Sequence, residues 1–230
     1  MELIGFFQRY EEYWSDWQPE LLTAALVTLE ITAGAFALGC GLGLLIAIGK
    51  LSRIGPLRAF SVAYIEVTRG VPALVILFLL YFGLVPLGIV MEAITAGMIG
   101  LGLSAAGYLA EIFRAGIEAT HRGQREAGLA VGLTPAKIYR FIILPQAFRV
   151  VLPPLLNMLI ILLKDSSLAS LISAPELMLR AKDLASNYFL PMHLFVLVGA
   201  IYFVIAFPIS LLTRRLEARF RRFHGGRRLA

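Results

Sequence analysis

The sequence predicts an all-α integral membrane protein of five spans, with its N-terminus outside and its C-terminus in the cytoplasm. Composition carries the first half of that expectation: 59% of the 230 residues are hydrophobic and 16% are charged, with a mean hydropathy of +0.80. A soluble domain is nearer roughly 45–50% apolar and about 25% charged. The placement of charge carries the second half. A formal charge of +6 would suggest nucleic acid in a water-soluble protein, but here the basic residues sit in short stretches between long apolar runs. That arrangement points to a membrane and to no nucleic-acid partner. Cys40 is the one cysteine, which excludes a disulfide framework and a Cys-based zinc site. His121, His193 and His224 are too scattered to form a metal cluster.

A span needs about 20 largely apolar residues. The first run is Leu21 to Gly49, interrupted by Glu30, and the second is Ala59 to about Val90, with Glu66 and Arg69 in its first third. The third, Ala93 to about Phe113, is free of charge until Glu111. The fourth, Val150 to Ile172, contains Lys164 and Asp165, and the last, Leu190 to Leu212, has only His193 as a titratable group. Residues 1–20 precede them as a periplasmic segment. They hold Glu2, Glu11, Glu12, Asp16 and Glu20 against Arg9 alone, the wrong charge for a signal peptide. With Trp14 and Trp17 just before the first run, they read as an interfacial amphipathic element. Gly39 and Gly43, four apart, offer a small-xxx-small face for close helix packing.

Orientation follows from Lys and Arg. Sixteen of the 21 basic residues lie in 50–58, 114–149 and 214–230, while the opposite side holds only Arg9, Arg180 and Lys182. The positive-inside rule places the richer side in the cytoplasm. The chain thus divides into the segment 1–20, a transmembrane domain 21–215 and a basic cytoplasmic tail 216–230.

Residues 114–149 form the longest polar stretch between spans, and their turn chemistry is specific. Thr134-Pro135 is an N-cap residue followed by Pro at the first helical position. Gly132 supplies backbone freedom just before it. The expectation is a helix reaching about Ala130, a turn at Gly132, and a short helix from Pro135 to about Ile142 that ends at Leu144-Pro145. An exposed, basic helix–turn–helix between two spans has the form of a docking element.

The same stretch reads Glu126-Ala127-Gly128, three residues, Gly132, nine residues, then Ile142-Ile143-Leu144-Pro145. It resembles the EAA motif of membrane subunits in ABC importers, with Gly128 where that motif has alanine. Arg69-Gly70-Val71-Pro72, Gly123-Gln124, Leu144-Pro145-Gln146-Ala147 and Leu163-Lys164-Asp165-Ser166-Ser167-Leu168 are similar to the polar amino acid branch (histidine, glutamine, arginine, opine and glutamate importers). The resemblance covers roughly residues 20–215. It implies a type I ABC importer permease of the bacterial cytoplasmic (inner) membrane, moving an amino acid by alternating access. Glu126, Ala127, Gly132, Leu133, Thr134 and Pro135, within a segment at about 122–145, would couple it to two separate ATPase subunits. A periplasmic or lipid-anchored binding protein would deliver the substrate. The chain itself has no phosphate cradle: its one Gly-Lys pair, Gly49-Lys50, is followed by Leu51, and position 44 is Leu rather than Gly. No cofactor is therefore expected on this chain, ATP and Mg belong to the partner ATPase, and the permease is not an enzyme.

Ionisable residues in a span are costly and face a cavity or a partner. Glu66 and Arg69, three apart, share a helix face, and Arg69-Gly70-Val71-Pro72 predicts a local helix disruption. Arg69 suits a substrate carboxylate through its bidentate fork, Asp165 suits an ammonium, and Asn157, Ser166 and Ser167 could add neutral hydrogen bonds. Glu66 and Lys164 complete the candidate substrate path. The same charges would serve equally in an interhelical ion-pair network that only holds the bundle, and Glu111, three before Arg114, fits that structural role. Glu30, Glu66, Glu111 and Asp165 against Arg69 and Lys164 leave a surplus of negative charge, which favours a cationic amino acid over a dicarboxylate. Five helices make a small bundle for a pathway, so a second permease, identical or homologous, is expected. A stand-alone channel or ion-driven carrier is the rival from another class, because apolar spans alone would allow it. An intramembrane enzyme would need paired catalytic residues, and no such motif is present.

Overall fold

The computed structural model describes residues 2–120 and 122–224, and among them all regular structure is helical. Among these described residues four helices are long and apolar enough to cross a membrane, and a bent pair, taken as one span, brings the number to five.

The first helix, α1 (Glu2–Leu51), runs 50 residues without interruption, about 75 Å at 1.5 Å per residue. Residues 2–20, expected as a separate interfacial element, are instead its first turns, and Met1 lies outside the described residues. The reason is packing. Trp17 is fully buried in a cluster with Leu177, Leu184, Leu194 and Val198. Tyr13 stacks on it with centroids 5.6 Å apart, and Tyr188 meets it edge-on at 5.7 Å. Apolar and aromatic contact along one face keeps the helix going through Pro19.

The second span is broken. α2 (Gly55–Gly70) and α3 (Ala73–Tyr81) meet at a bend of 102°. Pro72 has no N–H, and its ring disfavours a helical residue before it. Val71 accordingly sits extended, at φ −99° and ψ 130°, and its own N–H closes α2 onto the Val67 carbonyl. This is the disruption that Arg69-Gly70-Val71-Pro72 predicts.

The central helix is α4 (Ala93–Glu118), against which α1, α2, α3 and the later helix Leu144–Asp165 all pack. Its small residues allow this. A side chain on Gly43 of α1 would start 3.0 Å from the Ala106 carbonyl and 3.1 Å from the Ala110 nitrogen, so backbone meets backbone there. The small-xxx-small face of the first span therefore has α4 as its partner.

The polar connection forms α5 (Arg122–Ala130) and α6 (Pro135–Ile138). A π-helical turn, Tyr139–Ile143, then leads straight into α7 (Leu144–Asp165). Leu144-Pro145 thus does not end a helix, contrary to the sequence expectation. The wide turn lets the Leu144 N–H reach back to the Tyr139 carbonyl, and Pro145 enters at the first turn of α7, where a missing donor costs little. Beyond α7 come a 3₁₀ stretch, Ser166–Ile172, and the short α8 (Leu177–Tyr188), which the sequence did not announce. The last helix, α9 (Pro191–His224), carries most of the expected basic tail as helix. Residues 225–230, with Arg227 and Arg228, lie outside the described residues.

Candidate functional site

The break in the second span opens a cavity of about 490 Å³ between α2, α4 and α7. One wall is the broken backbone itself, from Arg69 to Ala73. α4 presents Leu101, Ser104, Ala105 and Tyr108, and α7 presents Met158, Ile161, Leu162 and Asp165. The α4 and α7 residues recur at helical spacings of three and four, so each set forms one stripe. Glycine sets the depth of the α4 wall. A side chain on Gly100 would start 3.2 Å from the Leu77 Cα, and one on Gly107 would collide with Thr68. Both arms of the broken span therefore press against α4, one on each side of the cavity.

Arg69 stands on the last turn of α2. Its guanidinium lies 5.7 Å from the centre of the Tyr108 ring, within cation–π range. The Tyr108 hydroxyl donates to the Arg69 carbonyl at 3.4 Å, an acceptor freed by the break. Deeper on α2, the Tyr64 hydroxyl donates to the Leu103 carbonyl at 2.9 Å and ties the two helices together. The opening amides of α3, at Ala73 and Leu74, have no partner within their own helix by construction. Ala73 borders the cavity.

Of the residues singled out from the sequence, the structure brings Arg69 and Asp165 to this cavity. Asn157 and Lys164, seven apart on α7, line a different cleft of about 560 Å³ against α9. Glu66 is exposed on α2. Ser166 is fully buried and donates to the Leu163 carbonyl, and Ser167 donates to that of Lys164. Ser104, Tyr108 and Met158 are cavity residues that sequence reasoning missed. Ser104 and Tyr108 lie in an uncharged, glycine-rich run, and their spacing of four, in step with Ala105 and Leu101, was the one signal available.

Glu111 has a structural occupation. Its carboxylate takes Lys50 at 2.5 Å, from the end of α1, and Arg114 at 2.7 Å. Glu176, which the sequence did not announce, is fully buried. It caps α8 by accepting the N–H groups of Met178 and Leu179, each at 2.9 Å. The Tyr202 hydroxyl of α9 donates to it at 2.9 Å. Beside it, the Leu177 N–H donates to the Thr28 hydroxyl of α1 at 3.1 Å, so three helices meet at one polar knot. Glu176 follows Pro175 in the connection between the expected spans ending at Ile172 and starting at Leu190, and so escaped the sequence reading.

The polar segment between the third and fourth spans has the expected turn. Gly132 adopts φ +80°, in the left-handed region. The Leu133 N–H closes on the Gly128 carbonyl at 3.0 Å. The Thr134 hydroxyl caps α6 by accepting the Lys137 N–H at 3.4 Å. Gly128 is buried against Ile138, whose Cγ1 lies 2.9 Å from where a side chain would begin. The smaller residue in the motif thus lets α5 and α6 close on each other. Glu126, Ala127, Gly132, Thr134 and Pro135 are exposed, and Leu133 is half-buried.

A broken span around a cavity, and an exposed turn leading without a gap into a spanning helix, define a multi-pass transport component. The chain belongs to the family of binding-protein-dependent transport system inner membrane components, whose model matches residues 39–222. It is 40% identical to the probable amino-acid ABC transporter permease protein YckA of Bacillus subtilis, over 88% of this chain and 89% of that protein. It is 35% identical to the L-cystine transport system permease protein TcyB of the same organism, over 89% and 88%. It is 33% identical to the glutamate/aspartate import permease protein GltK of Escherichia coli, over 91% and 99%. A crystal structure of an amino acid ABC transporter with histidines superposes with a TM-score of 0.84 at 38% identity, covering 89% of this chain and 96% of the other. The chain is a permease subunit of a type I ABC importer.

Proposed function

We propose that this permease moves an amino acid across a bacterial cytoplasmic membrane, with its N-terminus outside and its C-terminus inside. The observation that carries the reading is the meeting of Arg69 and Asp165 at one cavity between α2, α4 and α7. A zwitterionic amino acid needs a cation for its carboxylate and an anion for its ammonium in one place. Arg69 receives the carboxylate, helped by the opening amides and positive dipole end of α3. Asp165, at the last turn of α7, receives the ammonium. The relatives' functions agree, since those named above are amino acid permeases.

The exposed turn around Gly132 is the element that meets an ATPase. Glu126, Ala127, Gly132, Leu133, Thr134 and Pro135 offer a short rigid surface on the basic side of the membrane. Two ATPase subunits hold ATP and Mg, a second permease completes the pathway, and a binding protein supplies the amino acid.

The test is uptake of labelled amino acids by vesicles holding the complete complex. Arg69→Gln and Asp165→Asn should each reduce uptake at least tenfold while the complex still assembles. Unchanged uptake in both variants would place the site elsewhere. Transport by this chain without an ATPase subunit and ATP would favour the channel or carrier class instead.

A further inference from the structure

We propose that the cavity selects an amino acid with an uncharged, apolar side chain, and that Met158, Ile161 and Leu162 form the surface that reads it. The inference rests on the proposed placement of the amino acid between Arg69 and Asp165, and it reverses the preference that charge counting along the spans suggests.

The charges that would have welcomed a cationic side chain are elsewhere. Glu111 is held by Lys50 and Arg114. Glu66 is exposed on α2, Glu30 is exposed on α1, and neither borders the cavity. Lys164 faces the cleft between α7 and α9. Among the described residues that line the cavity, the charged groups are Arg69 and Asp165, one of each sign. The backbone carboxylate and ammonium of an amino acid consume both. A third charge, of either sign, would find no further partner of opposite sign among the lining residues of this chain, and an uncompensated charge in a largely apolar pocket is costly.

What remains for the side chain is mostly hydrocarbon. Asp165, Leu162, Ile161 and Met158 descend one face of α7, spaced seven residues end to end, which is about 10 Å at 1.5 Å per residue. An amino acid held by its ammonium at Asp165 therefore lays its side chain along Leu162 and Ile161 toward Met158. Leu101 and Ala105 of α4, both about 1% exposed, close the opposite wall. Two hydroxyls complete the lining, and one of them, on Tyr108, is already engaged with the Arg69 carbonyl. Apolar walls with a few fixed polar groups at one end are the usual form of a small-molecule site that orients its ligand by the head and sorts it by the tail.

The experiment is equilibrium binding of labelled L-methionine, L-leucine, L-arginine and L-glutamate to the purified permease–ATPase complex in lipid nanodiscs. Methionine or leucine should bind at least tenfold more tightly than arginine and glutamate. Met158→Glu, nearly the same shape with one added anion, should weaken methionine and strengthen arginine, each by tenfold or more. If arginine or glutamate binds best to the unaltered complex, and Arg69→Gln still abolishes that binding, the selectivity inference falls while the site stands. If Arg69→Gln and Asp165→Asn leave all four ligands unaffected, the site itself is misplaced. If Met158→Glu leaves the ranking unchanged, Met158 does not face the side chain.

Discussion

Thr68 occupies the space that any side chain on Gly107 would need. The contact joins α2 to α4 one residue before Arg69, and the Thr68 hydroxyl is itself held by donating to the Tyr64 carbonyl at 2.8 Å. The guanidinium that borders the cavity is therefore positioned by a glycine on another helix. Gly107→Ala should push α2 outward, at an overpacking cost of about 1–3 kcal/mol. Melting of the purified complex and amino acid binding should both suffer. Gly41→Ala, on a helix face with nothing within 4 Å, is the control and should do neither.

The turn at Gly132 depends on conformation and not on space, since nothing lies within 4 Å of a side chain added there. At φ +80° an L-residue is strained by roughly 1–2 kcal/mol, and a β-branched one suffers most. Gly132→Val should leave membrane insertion intact while uncoupling or detaching the ATPase. Gly132→Asn, which visits the left-handed region more readily, should retain most transport. Equal behaviour of the two variants in transport-coupled ATP hydrolysis would show that turn geometry is not what matters.

Glu111 holds the end of α1 to α4 through Lys50, with its side chain only 20% exposed. Glu111→Gln should lower stability by about 1–2 kcal/mol, since hydrogen bonds to charged groups are the stronger kind. The drop should show in thermal melting. Glu12→Gln breaks the Arg9–Glu12 pair, in which both side chains are about half exposed. It should leave the melting temperature unchanged.

The polar knot at Glu176 makes an ordered series. Tyr202→Phe removes one donor from a fully buried carboxyl and should cost about 1–3 kcal/mol. Glu176→Ala also removes the cap of α8 and leaves the hydroxyl unpaired, so it should cost more than Tyr202→Phe. Glu176→Gln, which keeps an acceptor for the Met178 and Leu179 amides, should cost less than Glu176→Ala. Melting curves of the three variants rank them, and a reversed order would mean that the knot does not hold α8 to α9.

Much of this architecture was legible because the determinants are local. Twenty-residue apolar runs announce spans, Val71-Pro72 announces a break, and Gly132 with Thr134-Pro135 announces a turn and a helix start. The legible part of the cavity was its charge, at Arg69 and Asp165. Its remaining walls were not, because Ser104, Tyr108 and Met158 acquire their role only when α2, α4 and α7 are brought together. Pro145 misled for the same reason in reverse. Proline ends a helix by local rules, yet a π-helical turn supplied by the preceding five residues carries the chain past it. Residues 2–20 became part of α1 because Trp17 finds its pocket on α8 and α9, more than 150 positions away.

The unbroken run from Pro135 through the π-helical turn to Asp165 spans 31 residues, or about 45 Å of helix. On the roles proposed above, its lower tip touches the motor and its upper end carries the anion that holds the cargo. It is a connecting rod: a tilt or twist imposed at the tip arrives at Asp165 without passing through a loop. Its hydrogen-bond ladder is irregular at two places, the wide turn at Tyr139–Ile143 and the Pro153-Pro154 pair inside α7, and there a stroke would be softened.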